Sequence, residues 1–148
     1  SKIDNLGLYA ARDIKKGTKI IEYKGKVITR KEAEENPKYD NDKAIYLFNI
    51  NKRYDLDGDF KFNTARLINH SCDPNCEVDI IDNEIWISSI KNIKKGEELN
   101  YDYGYPFDID DYKDHVCKCG SSKCIGYIIS QDDWPKYKKY LKKKIKKL

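Results

Sequence analysis

Three cysteines within eight residues, Cys117-x-Cys119-x4-Cys124, limit what this 148-residue chain can fold into more than any other feature. Thiols one residue apart are badly placed to bridge each other but can both turn onto one metal ion. Gly120 and Gly126 give the loop the freedom to wrap it. The total of five cysteines is odd, and the chain opens without the roughly 7–15-residue apolar stretch of a secretory signal, so a disulfide framework is not expected. A closed structural zinc site takes four ligands, so one must come from elsewhere; Cys72, Cys76, His70 and His115 are the candidates. An all-sulfur cluster with no acid–base partner beside it points to a structural ion. If Cys72 or Cys76 completes the site, the metal pins the C-terminal segment against the polar loop near residue 70.

The rest of the chain reads as a β-rich domain. At this length one domain is the default, and folding buries roughly 70% of the unfolded surface. Short β-forming runs occupy 8–11, 18–23 and 25–29, broken by Lys15-Lys16-Gly17 and Lys24-Gly25. Thr29 and Glu32 have capping-box spacing, which predicts a helix from Thr29 that Asn36-Pro37 ends. Further strands are expected at 44–50 and 54–57, then a hairpin of 76–81 and 84–90 turning at Asp82-Asn83. No helix follows each strand, which excludes a doubly wound parallel sheet. Ile14-Lys15-Lys16-Gly17 recurs as Ile93-Lys94-Lys95-Gly96. We read this as convergent turn chemistry, because glycine tolerates φ > 0, although two equivalent corners would also produce it.

Charge is divided along the chain. The formal net charge is +4, from 29 Lys+Arg and 25 Asp+Glu, yet the last thirteen residues hold eight lysines and no acids. Without them 21 bases face 25 acids, an acidic body with a basic tail. In the tail, Tyr137, Leu141, Ile145 and Leu148 form a helical stripe among lysines, which suits docking on the body with the lysines toward DNA phosphates. A membrane-surface helix, a nuclear-import signal and a plain solvated helix are the competing readings. No apolar run approaches the roughly 20 residues that cross a bilayer.

Two segments are dense in chemistry. In Arg66-Leu67-Ile68-Asn69-His70-Ser71-Cys72-Asp73-Pro74-Asn75-Cys76, the Asn-His pair offers donors and acceptors that can grip an amine or a carboxylate. With two histidines in all, a histidine metalloenzyme is excluded, and Asn69-His70-Ser71 is an incidental glycosylation sequon. Asp55-x-Asp57-Gly58-Asp59 lacks the glycine and the terminal Glu of a calcium loop. In Glu97-Glu98-Leu99-Asn100-Tyr101-Asp102-Tyr103-Gly104-Tyr105, alternation puts three tyrosines on one face. They are either half-buried strand aromatics or a cage suited to an ammonium group or a lysine stem. The acidic run 108–114 is either a solvated loop or an attractor for a basic peptide added as a strand.

Taken in this order, Asn69-His70-Ser71-Cys72-x-Pro74-Asn75, then Glu97-Glu98-Leu99-Asn100-Tyr101-Asp102-Tyr103, then Cys-x-Cys-x4-Cys, the chain resembles SET-domain protein lysine methyltransferases with a post-SET zinc module. The resemblance runs from about Asn5 to Ile129. It implies a mainly β (α+β) fold, the SET β-clip of several short sheets, with a threaded loop, a short helical insert, a zinc-bound C-terminal segment and a basic helix. The implied divisions are 1–106, 107–130 and 131–148. It also implies S-adenosylmethionine as cofactor, one structural zinc ion, a histone tail as substrate and a nuclear location, with the cytoplasm or a host nucleus as alternatives.

Carried over by position, Leu6, Gly7, Tyr46, Arg66, Asn69, His70 and Lys118 resemble cofactor-binding residues. Tyr103 resembles the catalytic tyrosine, Tyr23 a wall of the lysine channel, and Tyr101 the residue that limits product size, which implies mainly mono-methylation, with di-methylation next. Cys72 resembles the fourth zinc ligand beside Cys117, Cys119 and Cys124, leaving Cys76 spare. Asn5 stands where the family has the first glycine of Gly-x-Gly, and asparagine tolerates a left-handed turn better than most residues. A catalytically silent zinc-containing chromatin- or protein-binding module is the alternative reading.

Overall fold

The computed structural model describes residues 1–40 and 46–147. Among them are eight short strands in three sheets and two α-helices. The first sheet contains β1 (Lys19–Tyr23), β6 (Cys76–Ile81) and β7 (Glu84–Ser89) in the order β1-β7-β6. The second contains β2 (Lys26–Thr29), β3 (Leu47–Asn49) and β4 (Tyr54–Asp57) in the order β2-β4-β3. Both are antiparallel. The third is a parallel pair of two-residue strands, β5 (Asn69–His70) and β8 (Asn100–Tyr101), with Asn69 opposite Asn100 and His70 opposite Tyr101. This smallest sheet brings the two chemistry-dense segments together.

Local signals explain most of these elements. The hairpin turns where expected, with Asp82 at φ 50° and Asn83 at φ 64°, the two positive values that a two-residue turn of right-handed twist requires. Helix α1 (Arg30–Glu35) starts at Thr29, whose Oγ1 accepts from the Glu32 N–H at 3.1 Å, and it stops before Pro37. Ala44 and Ile45, the start of the expected strand at 44–50, lie outside the described residues. The expected strand at 8–11 is reduced to one bridge, Tyr9 to Glu98.

The tetrapeptide echo is a pair of equivalent corners that hold each other. Ile14 and Ile93 exchange backbone hydrogen bonds at 2.7 and 2.8 Å. Gly17 donates to the Ser89 carbonyl, and Gly96 to the Ala10 carbonyl. The Lys16 N–H is capped by Asn92 Oδ1 and the Lys95 N–H by Asp13 Oδ1, each at 2.9 Å. Both glycines are left-handed, at φ 86° and 88°. The turn chemistry is thus as read, and the symmetry of the two corners adds to it.

Two cores form. The main one packs Ile85, Ile87 and Tyr23 of the first sheet with Leu56, Ile68, Ile93, Leu99 and Tyr101. Cys76 lies inside it at 1% exposure, where burial pushes its thiol up to about 11, so the spare cysteine is a packing residue. The second core joins Phe107, Tyr112, Tyr127 and Ile129 to Trp134, Tyr137, Tyr140 and Leu141 on helix α2 (Trp134–Lys146). Only the first half of the expected apolar stripe docks. Ile145 is 68% exposed, and Leu148 lies outside the described residues.

Candidate active site and metal cluster

β5 and β8 place Asn69 and Tyr101 on a cleft of about 700 Å³. Its walls include Leu6, Tyr23, Tyr46, Arg66, Asn69, Tyr101 and Tyr103, seven of the residues expected from sequence, together with Phe48, Tyr105, Asp114 and His115. A smaller adjoining cavity of about 190 Å³ shares Asn69 and Tyr103 and is lined by His70, Cys117 and Lys118. Gly7 lies behind the first wall. A Cβ on it would fall 2.6 Å from Glu98 Oε2, so a methyl group there would have to displace that carboxylate. Asn5 does not take a positive φ, so replacing glycine there imposes no backbone strain.

The aromatic wall is continuous. Ring centroids are 4.6 Å apart for Tyr23 and Phe48, 6.2 Å for Phe48 and Tyr101, 5.0 Å for Tyr101 and Tyr103, and 5.8 Å for Tyr103 and Tyr105. Tyr103 O–H donates to the Ile68 carbonyl at 2.7 Å, and Tyr23 O–H to the Tyr46 carbonyl at 3.1 Å. A phenol whose proton is committed to a carbonyl presents only oxygen lone pairs to whatever else approaches. Burial first, then the neighbouring phenols, raises the pKa of Tyr23, Tyr101 and Tyr103 well above the ordinary value. The wall is therefore uncharged and electron-rich. Arg66 lies over the Tyr46 ring, 5.9 Å from its centroid, and is tethered by Nε to the Phe60 carbonyl at 3.0 Å.

His70 ties this wall to the sulfur cluster. Its Nδ1 accepts from the Tyr103 backbone N–H at 3.1 Å, which puts the ring proton on Nε2, 3.7 Å from Cys72 Sγ. Burial, opposed by Asp102, lowers the imidazole to about 4 and keeps it neutral. Gln131, which no sequence motif marks, makes a second link. Its Nε2 donates to the Cys72 carbonyl, and its backbone N–H to Asp102 Oδ2, both at 3.0 Å.

The sulfurs of Cys72, Cys117, Cys119 and Cys124 all lie within 4.8 Å of one another. Cys72 Sγ is 3.7 Å from Cys117 Sγ and 3.9 Å from Cys124 Sγ. A tetrahedral ion with Zn–S bonds of about 2.3 Å holds its sulfurs about 3.8 Å apart, so the four thiols fit such an ion. Burial opposes ionisation, but the Cys72 and Ser121 backbone N–H groups bring Cys119 down to about 7. Cys76 and His115 stand outside the cluster; His115 packs edge-on against Tyr105 and lies 4.0 Å from Asp111.

Residues 5–104 match the SET domain family. The chain is similar to histone-lysine N-methyltransferase 2D of Homo sapiens, 41% identical over 130 residues. It is 44% identical over 131 residues to histone-lysine N-methyltransferase trr of Drosophila melanogaster. It is 40% identical over 135 residues to the Schizosaccharomyces pombe histone-lysine N-methyltransferase, H3 lysine-4 specific. These alignments cover 84%, 84% and 86% of the chain but only 2%, 5% and 14% of the respective relatives. The matched segment holds both strands of the cleft and most of its aromatic wall, and on that extent the chain belongs to the SET-domain family.

Proposed function

We propose that this chain is an S-adenosylmethionine-dependent protein-lysine N-methyltransferase acting on a histone tail. The observation that carries this reading is the continuous aromatic wall of Tyr23, Phe48, Tyr101 and Tyr103, with two phenol oxygens fixed by backbone carbonyls. Such a wall suits the stem and amine of a lysine. The Asn69 amide, the loop at Leu6 and Gly7, and the nearby Tyr46, Arg66, His70 and Lys118 suit the cofactor.

When bound, the cofactor would supply a methyl group on a sulfonium, and the uncharged lysine amine would take that methyl in line, with the thioether of S-adenosylhomocysteine as leaving group. The amine, of ordinary pKa about 10.4, must enter uncharged, and the apolar wall favours that form by desolvation. No wall phenol serves as a base, because burial holds each in its neutral form. Tyr103 orients the amine and offers lone pairs to the positive centre; alignment and fixed oxygens supply most of the rate. The Tyr101 hydroxyl has no protein partner among the described residues, which leaves it for a water or the amine and favours mono-methylation over higher states. Asp114 on the cleft wall and Asp111, 4.0 Å from His115, would give the cleft an acidic approach for a basic tail, whereas Asp108 and Asp110 face a separate groove beside Lys136, Lys139 and Lys143.

Cys72, Cys117, Cys119 and Cys124 hold one structural zinc ion in this proposal. Residues 1–106 form the catalytic body, 107–130 the zinc segment and 131–148 the basic helix. The location is nuclear, with the lysines of α2 on nucleosomal DNA. The test is methyl transfer to a panel of histones with mass-spectrometric mapping, in wild type and Tyr103→Phe. Transfer to one lysine, lost in the variant, is expected. Cofactor binding without transfer to any histone overturns the substrate assignment, and no cofactor binding leaves the silent zinc module.

A further inference from the structure

Asn69 reaches the cleft with both amide hydrogens already used. Its Nδ2 donates to the Leu6 carbonyl at 2.7 Å and to Glu98 Oε2 at 2.9 Å, with a longer contact of 3.3 Å to Ser1 Oγ. Only the NH₂ end of an amide can face a carbonyl and a carboxylate together, so the orientation of this side chain is fixed. Its Oδ1, an acceptor, is left for a ligand that donates.

Glu98 makes that arrangement possible. Its backbone is held where the N-terminal segment crosses in front of β8: it bridges Tyr9, and the next N–H, that of Leu99, donates to the Leu8 carbonyl at 2.8 Å. Its own carbonyl accepts from Asn75 Nδ2 at 2.9 Å. The carboxylate fills the space that a Cβ on Gly7 would need. Ser1 Oγ donates to both carboxylate oxygens, at 2.7 and 2.8 Å, and among the described residues no cation pairs with Glu98. A fixed acceptor on Asn69 and a carboxylate directly behind it are the complement of an ammonium group.

We infer that Glu98 is a positioning residue for the ammonium end of the cofactor, acting by locking the Asn69 amide and by its own charge. This rests on the methyltransferase reading above. The experiment measures calorimetric affinity for S-adenosylmethionine, S-adenosylhomocysteine and 5′-methylthioadenosine, which lacks the amino-acid end. Glu98→Gln weakens the first two by about tenfold, as removal of a charge-assisted interaction would. It leaves methylthioadenosine within about twofold. Gly7→Ala weakens the two amino-acid ligands in wild type and does so less in the Glu98→Ala background, because the new methyl group then has room. Equal weakening of all three ligands by Glu98→Gln overturns the inference, as does no weakening at all. Wild type that fails to bind S-adenosylmethionine overturns the function and this inference together.

Discussion

At the scale of single residues, the cleft separates hydrogen bonding from charge. Tyr103 and Tyr23 give their protons to backbone carbonyls and remain neutral far above neutral pH. Tyr103→Phe therefore removes an aligned oxygen and no titrating group. A loss of about 10²–10³-fold in kcat with unchanged cofactor affinity is expected by single-turnover kinetics and calorimetry. Tyr101→Phe opens room at the amine and shifts product toward di- and trimethyl-lysine in mass spectra. The pH profile of kcat/KM rises as the substrate amine loses its proton and has no descending limb from these phenols below about pH 10. Stability follows the same sign. A phenol whose pKa is raised on folding contributes fully below the unfolded value near pH 10, and that contribution is lost as the pH climbs toward the folded values. Thermal melts across pH 8 to about 11 should therefore fall only at the alkaline end. The alternation of Tyr101, Tyr103 and Tyr105 was legible but left strand aromatics and a cage both open, and the roles proposed for the tyrosines came from the resemblance to the SET family. The contacts of Glu98 and Gln131 were not legible, since their partners lie 29 to 97 positions away in sequence and no local pattern encodes them.

Among the elements, legibility tracked how local the causes are. The Thr29 cap and the Asp82-Asn83 turn are written within four residues, and both formed as read. The run at 8–11 has strand composition, yet whether it extends beyond one bridge depends on residues 96–99, far along the chain. The apolar stripe of α2 failed at Ile145 because the second core ends at Leu141. Gly17→Ala and Gly96→Ala place a Cβ in left-handed backbone, and each should cost about 1–2 kcal/mol in denaturant titration. The cysteine cluster predicts one zinc per chain by elemental analysis. Removing it with a chelator should raise amide exchange in 69–75 and 115–130, while the β6–β7 hairpin stays protected. Cys76→Ala should leave the metal content intact and cost stability through the cavity alone.

For the whole molecule, the charge division has become a division of surfaces. The lysines of α2 are exposed, and Lys139, Lys142, Lys143 and Lys146 stand at i, i+3, i+4 and i+7, one helical face. A helix lying in a membrane surface needs its apolar face free. Here Trp134, Tyr137, Tyr140 and Leu141 are spent on the second core, which leaves charge alone and favours a phosphate backbone. Replacing the four lysines by serine should weaken binding to duplex DNA. The slope of log K against log salt should fall by about 0.9 for each phosphate no longer neutralised. KM for nucleosomes should rise, and KM for a free histone peptide should stay constant. Binding to anionic vesicles that exceeds binding to DNA would count against this.

The paired corners at Ile14 and Ile93 have a consequence for how the protein comes into being. The first wall of the cleft, Leu6 and Gly7, is anchored by residues 93–99 and by Glu98, so it has nothing to fold against until those residues exist. During synthesis residues 6–14 must wait for residues 93–99. Pairing over such a separation is slow, because the loop must close before its contacts repay the closure. Refolding followed by a cofactor-binding signal should therefore lag behind refolding followed by the β6–β7 hairpin. A chain cut before residue 93 should hold its hairpin and bind no cofactor.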